Sequence, residues 1–194
     1  MYPYSLSHNF CCNFCIAGAV KFFGHLAYDN PLDVIPSCKP LLQFTFSNLR
    51  SVDPTLKMLC VETICHIMAN PTALKMMFSK PEQLKHSVKN IGAMFSSASE
   101  DMAVRERALE AIAEVFTHEV SNVEVSNICE KIYQNLGEQP MQMIFEIIKQ
   151  PFPALKYGGY KLLCGLSKYS WAEQDIALCA GIFHIPFLIL SKRM

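Results

Sequence analysis

Cys12-x-x-Cys15, with Cys11 and His8 close by, is the one spacing in this sequence that suits a metal ion. Two thiolates at that spacing supply half of a structural zinc site, and a complete site needs a second pair as CxxC or HxxxH. No second pair follows, so no metal is expected and the cysteines read as part of a leader running into an apolar helix. Cys65 and His66 combine a nucleophile with a base, but adjacent helix positions point about 100° apart and do not face each other. His25, His86, His118 and His184 stand singly in helical stretches without an evident carboxylate to orient an imidazole. Phosphate-binding glycine loops, GxSxG and HExxH are absent. These residues imply no catalytic site, no cofactor and no small-molecule substrate.

Charge is the more informative chemistry. Seventeen basic and 17 acidic residues give a formal charge of zero, which draws neither nucleic acid nor an anionic membrane. Locally the balance is uneven. Residues 100–149 hold ten acidic and four basic groups, a net −6, against +3 (8−5) in residues 1–99 and +3 (5−2) in residues 151–194. Glu106, Glu110 and Glu114 fall at i, i+4 and i+8, on one helix face away from the apolar stripe. Like charges at that spacing weaken a helix slightly. The face is therefore either simply solvated or kept for a partner.

The elements that must carry these groups are helices. The chain has 194 residues, half of them hydrophobic (51%) and only 18% charged, which fits one ordered domain. Nine cysteines, an odd number scattered through apolar stretches, point to a reducing compartment, the cytoplasm first and the nucleus second. The start has no signal-peptide pattern, and the apolar run Leu178–Leu190, broken by His184 and Pro186, is too short to cross a bilayer. No stretch alternates with period two. Breakers recur instead at Asn30-Pro31, Asp53-Pro54, Asn70-Pro71, Lys80-Pro81, Gln139-Pro140 and Pro151-Phe152-Pro153, and proline is at home in a first helical turn.

Apolar or small residues recur at offsets 0, 3, 4, 7, 8, 11 and 12 from Ile16, Leu56, Val104 and Leu155, anchors 40, 48 and 51 residues apart. Arg107 is the one plainly polar intruder in these stripes. Amphipathic segments at Lys39–Arg50, Glu82–Ser97 and Met141–Lys149 precede three of the stripes, and short extra segments follow at Thr72–Phe78 and Trp171–Cys179. Helix, turn, helix and short helix at a 40–50-residue period is the HEAT/armadillo pattern. The fold class read from it is all-α, a right-handed α-solenoid of HEAT/armadillo-like repeats; a helical bundle shares the 3.6-residue period. Residues 14–194 form the single solenoid domain of about four repeats, and residues 1–13 are expected to be a disordered leader. The tail Ile182–Leu190 caps a repeat poorly, so the isolated chain is expected to self-associate.

Gly18-Ala-Val-Lys-Phe-Phe-Gly-His-Leu-Ala27 with the Asp53-Pro-Thr turn, and Gln150-Pro-Phe-Pro-Ala-Leu-Lys156 with Trp171-Ala172 one helix later, resemble the 26S proteasome non-ATPase regulatory subunit 5 family. The resemblance runs from about Phe14 to about Phe183, without the N-terminal repeats of the family, and Gly158-Gly159 stands where the family usually has two alanines. It implies a non-catalytic chaperone that helps assemble the base of the proteasome regulatory particle. Its implied partners are a base ATPase subunit, held by its C-terminal region, and the associated base subunits. In a HEAT repeat the helix after the turn lines the concave surface. The candidate partner-binding residues there are Lys57, Glu62 and His66, then Glu106, Glu110 and Glu114, then Tyr157, Tyr160 and Lys161. Tyr157 and Tyr160 serve either as anchors or as cover for a gap left by Gly158-Gly159. Trp171 with Phe152 is expected to cap the core between repeats. The alternatives are another HEAT/armadillo adaptor that grips a linear peptide, and a truncated fragment without function.

Overall fold

The computed structural model describes residues 5–118 and 122–183, with side chains described for residues 15–118 and 122–179. All regular structure among them is helical. In chain order come α1 (Ser5–Asp29), α2 (Pro31–Ser37), α3 (Lys39–Ser47) with a 3-10 turn at Asn48–Arg50, α4 (Pro54–Met68), α5 (Pro71–Phe78) and α6 (Pro81–Ser96). Then follow α7 (Met102–Val115), α8 (Val123–Gln134), α9 (Pro140–Lys149), α10 (Pro153–Leu166) and α11 (Ser170–Phe183). Six of these helices open on proline, which loses nothing where the amide has no intrahelical partner. Asp53, Asn70, Asp101 and Asn122 cap α4, α5, α7 and α8, each accepting from a backbone N–H of the first turn.

Two expectations shift here. Helix α1 begins at Ser5, so the backbone of residues 5–13, read as a leader, is helical. Helix α8 was not anticipated, although Val125, Ile128, Cys129, Ile132 and Tyr133 bury one face at helical spacing. Its Asn122 cap replaces the proline that marks most of the other starts. The tail beyond Phe183 lies outside the described residues.

The longer helices form a row in which α1 packs on α4, α4 on α7 and α7 on α10. A second layer covers one side of that row: α3 lies on α4, α6 on α7 and α9 on α10, while α2, α5 and α8 pack in sequence and α11 closes on α9. Most of each apolar stripe is buried, through Val20, Phe23 and Ala27, then Cys60, Ile64 and Ile67, then Ala108, Ile112 and Val115, then Leu155, Leu162 and Leu166, whereas Ile16 and Arg107 are exposed.

Hydrogen bonds tie each part of the row to the next, most of them across 40 to 50 residues of sequence. Asn70 Nδ2 donates to the Tyr28 carbonyl at 2.8 Å, His118 Nε2 donates to the Met68 carbonyl at 3.0 Å, and Trp171 Nε1 donates to Ser126 Oγ at 3.3 Å. Arg105 is the most buried cation described, 4% exposed. Its Nε donates to the Phe95 carbonyl at 3.2 Å and a terminal nitrogen donates to Gln150 Oε1 at 2.9 Å, joining the ends of α6 and α9 through α7. A buried guanidinium needs such acceptors, because desolvating it unpaired costs several kcal/mol, on the order of 3–5.

One glycine fixes how closely neighbouring parts of the second layer meet. A Cβ on Gly92 of α6 would lie 1.9 Å from the Leu136 carbonyl oxygen, in the turn between α8 and α9. Gly92→Ala is expected to lower stability by about 3 kcal/mol or more, because backbone rather than a rotatable side chain must yield. Gly18→Ala, where nothing lies within 4 Å of the added carbon, is expected to raise it by about 0.5–1 kcal/mol through helix propensity. Urea unfolding of both variants checks the pair; equal effects would mean that α6 does not sit this close to the turn.

A candidate partner-binding face

The side of the row not covered by the second layer carries the candidate residues. Between α1, α4 and α7 it sinks into a groove of about 250 Å³ lined by Lys21 and His25, by Glu62 and His66, and by Arg107, Glu110 and Glu114. Its floor is narrow because α1 and α4 approach closely: a Cβ on Gly24 would stand 2.9 Å from Thr63 Cγ2. Four of the nine candidates, Glu62, His66, Glu110 and Glu114, therefore meet in one place, although they come from helices about 48 residues apart.

The acids are paired rather than free. Arg107 Nε lies 3.5 Å from Glu62 and its Nη1 3.9 Å from Glu110, while Lys161 Nζ lies 3.5 Å from Glu114 across to α10. Three carboxylates (Glu62, Glu110, Glu114) stand against three cations (Lys21, Arg107, Lys161), so the face is close to neutral. The surface is less acidic than the sequence implies because Arg107 lies on this open face, paired with Glu62 and Glu110, and not in the apolar stripe. Arg107 is 59% exposed, and the buried polar residue of α7 is Arg105. Arg107, Glu110 and Glu114 stand at i, i+3 and i+7, and that spacing was the available signal.

The other candidates divide. Lys57 reaches both carboxylate oxygens of Glu100 at 3.0 Å, with the pair largely covered, so it tethers α4 to the turn before α7. Glu106 stands a step off the groove and makes no ion pair among the described residues. Tyr157 and Tyr160 are 65% and 42% exposed on α10. They do not cover a gap at Gly158-Gly159, because none exists: added Cβ atoms there would meet Leu109 at 3.0 Å and Ile148 at 2.6 Å. Trp171 does bridge neighbouring units, but against Tyr169 (5.0 Å between centroids) and Tyr133 (5.3 Å), while Phe152 stays 41% exposed.

His66 is not solitary. Its ring stacks on Tyr28 with centroids 4.6 Å apart and meets His25 edge-on at 5.0 Å. Burial, with a smaller contribution from His25, lowers its pKa, and Glu114 and Asp29 oppose the shift. Neighbouring Cys65 is fully buried, and desolvation with Glu114 and Glu62 nearby holds its thiol protonated. Burial likewise pushes Cys60 up to about 12, so neither is an available nucleophile. The Cys11, Cys12 and His8 side chains lie outside the described residues; Cys15 is exposed. Among the described residues no cluster of His, Cys, Asp or Glu is placed to hold a metal ion, and no helix is long and apolar enough to cross a membrane.

Comparison with known proteins gives one consistent set of relatives. A family model described as the proteasome non-ATPase 26S subunit matches residues 7–191, which extends the resemblance into the segment 1–13 that had been read as unmatched. The 26S proteasome non-ATPase regulatory subunit 5 of Bos taurus is 24% identical over 164 residues, 84% of this chain and 32% of the relative. The human protein of that name is 24% identical over 165 residues, with the same coverage. The Drosophila melanogaster protein of that name is 24% identical over 183 residues, 92% of this chain and 35% of the relative. The chain thus spans about a third of the length of these relatives. No solved structure matches it.

Two shielded imidazoles, His66 in the groove and His118 on the Met68 carbonyl, make stability depend on pH. His66 and the buried His118 both have lowered pKa values, burial being the main cause for each. The unfolded chain therefore takes up protons first, starting near the ordinary histidine value of about 6.5. Their neutral-state stability is complete above that pH and is lost as pH falls from it toward the folded values. Thermal melts at steps from pH 7.5 to 5 are expected to show a falling midpoint, with a shallower fall in His118→Gln. A flat profile in the parent chain would contradict the burial of these two rings.

Proposed function

The chain belongs to the proteasome non-ATPase 26S subunit family, and from that membership we propose that it is a non-catalytic scaffold for assembly of the base of the proteasome regulatory particle. On this reading residues 14–194 are one right-handed HEAT/armadillo-like solenoid of about four repeats. The row α1–α4–α7–α10 is its concave side. A base ATPase subunit docks there by its C-terminal domain, and the associated base subunits are aligned around it. Work of this kind takes place in the cytoplasm or nucleus and involves no catalytic step, in keeping with relatives named as regulatory subunits.

The observation that carries the reading is that the family match takes in α1 from residue 7 and all of α4, α7 and α10. Affinity on such a face comes from a few buried anchors, with charge setting orientation and encounter rate. Tyr157 and Tyr160 are the exposed aromatics nearest that role. Glu62, Arg107, Glu110, Glu114 and Lys161 form ion pairs that an incoming domain can exchange, because surface pairs of this length contribute little to stability, about 0–1 kcal/mol each.

The test is capture of each purified base ATPase C-terminal domain by the immobilised chain, beside Glu110→Lys/Glu114→Lys and Tyr157→Ala/Tyr160→Ala variants. One domain is expected to bind, with each variant weakening it about ten-fold or more, roughly 1.4 kcal/mol, while melting temperatures stay close to the parent value. No capture by a folded parent chain, or capture indifferent to both variants, would remove this face from the account.

A further inference from the structure

A second groove, independent of the inner row, lies in the covering layer. Helix α6 meets the Asn48–Arg50 turn while α3 lies against α4, and a furrow of about 430 Å³ stays open between α3 and the corner joining α5 to α6. Leu42, Phe46, Met76 and Met77 give it an apolar floor, and none of its lining comes from α1, α4, α7 or α10. Leu42, Phe46 and Met76 are only partly buried. Methionines suit such a surface because an unbranched thioether chain repacks against different shapes.

The charge at this furrow has one sign. Lys39 and Lys80 line it and no carboxylate does; Asp33 and Glu82, close in sequence, stay outside the lining. Three lysines elsewhere are held by carboxylates: Lys57 by Glu100, Lys75 by Glu124 and Lys161 by Glu114. Lys39 and Lys80 make no ion pair among the described residues and are exposed. Two uncompensated cations beside a partly exposed apolar floor complement a ligand that is apolar along one side and acidic along its edges.

We infer that this furrow binds an acidic amphipathic helix of a partner protein, its apolar residues at i, i+3 or i+4 and i+7 filling the floor and its carboxylates meeting Lys39 and Lys80. The mode is the helix-in-groove one, in which apolar anchors give affinity and flanking charges give orientation. The site goes beyond the proposed ATPase-binding face and uses none of its residues, so either can fail without the other.

The experiment uses the full chain and a fluorescein-labelled three-turn peptide with leucine and phenylalanine on one face and glutamate on the other. The control peptide carries lysine in place of every glutamate. Fluorescence anisotropy is expected to show saturable binding of the acidic peptide, at least about ten-fold weaker binding of the lysine peptide, and weakening as salt rises past the Debye regime, about 0.15 M. Lys39→Glu/Lys80→Glu is expected to reduce acidic-peptide binding by about ten-fold or more, with Lys39→Gln/Lys80→Gln in between and capture at the inner row unchanged. Both lysines are exposed, so the variants should melt like the parent; if the reversal variant does not, the glutamine variant decides the matter. Equal binding of the two peptides, no binding, or binding unchanged by both variants overturns the inference. So does sedimentation of the parent chain as a dimer that Lys39→Glu/Lys80→Glu disperses, since a second copy would then be the occupant.

Discussion

Each interior helix of the row has to bury two opposite flanks at once, and this demand organises the molecule. Helix α7 lies between α4 and α10 and accordingly buries Val104, Arg105, Ala108, Leu109, Ala111, Ile112, Ala113 and Val115. Only a strip is left for solvent, and that strip holds Arg107, Glu110 and Glu114. Small residues let the helices come close: Gly24 against Thr63 and Gly158 against Leu109 along the row, and Gly159 against Ile148 of the covering layer. Gly158-Gly159 sacrifices about 1 kcal/mol of helix propensity per residue, and the contacts with Leu109 and Ile148 explain why larger side chains are not accommodated there without movement.

Because both flanks are committed, polar side chains are left to fix the register between units. Arg105, His118 and Asn70 each reach a carbonyl in another element, and these directional bonds specify which turn of one helix meets which turn of the next. Apolar stripes alone tolerate sliding, whereas a hydrogen bond to a buried carbonyl does not, since an unmet polar group costs more than the bond contributes. Among the described residues no buried side-chain nitrogen or oxygen lacks a partner. The same rigidity lets distant segments build one groove: His66 rests on Tyr28 and His25 of α1 while facing carboxylates from α7.

Much of this was legible in the residues. Proline and Asp or Asn caps mark the helix starts at Pro31, Pro54, Pro71, Pro81, Pro140 and Pro153 because both act locally, through a fixed φ or a short side chain. The stripes from Leu56 and Leu155 are buried as expected. Arg107 falls within the stripe yet is exposed, and Arg105 falls outside it yet is buried, because a single stripe at 3.6-residue spacing describes a helix with one buried flank, and α7 has two. Helix α8 escaped notice because its valines and isoleucines favour strand and its start lacks proline. The groove itself was only partly visible. Spacing identified outward positions, but the pairing of Glu62 with Arg107 and of Glu114 with Lys161 depends on how neighbouring helices are offset, which no single helix encodes.

On the proposed function a base ATPase domain covers the open side of the row, and Cys164 offers a direct probe of that contact. This thiol is exposed on α10, one helical turn beyond Tyr160. The decisive measurement is its rate of alkylation by iodoacetamide, read by peptide mass spectrometry, with and without the base ATPase C-terminal domains. A cysteine introduced as Lys89→Cys on α6 serves as the outer reference. Cys164 is expected to be slowed at least about five-fold, as for a group inside a desolvated interface, while the α6 thiol keeps its rate. An unchanged Cys164 beside a slowed α6 thiol would contradict that contact and move the partner to the covering layer.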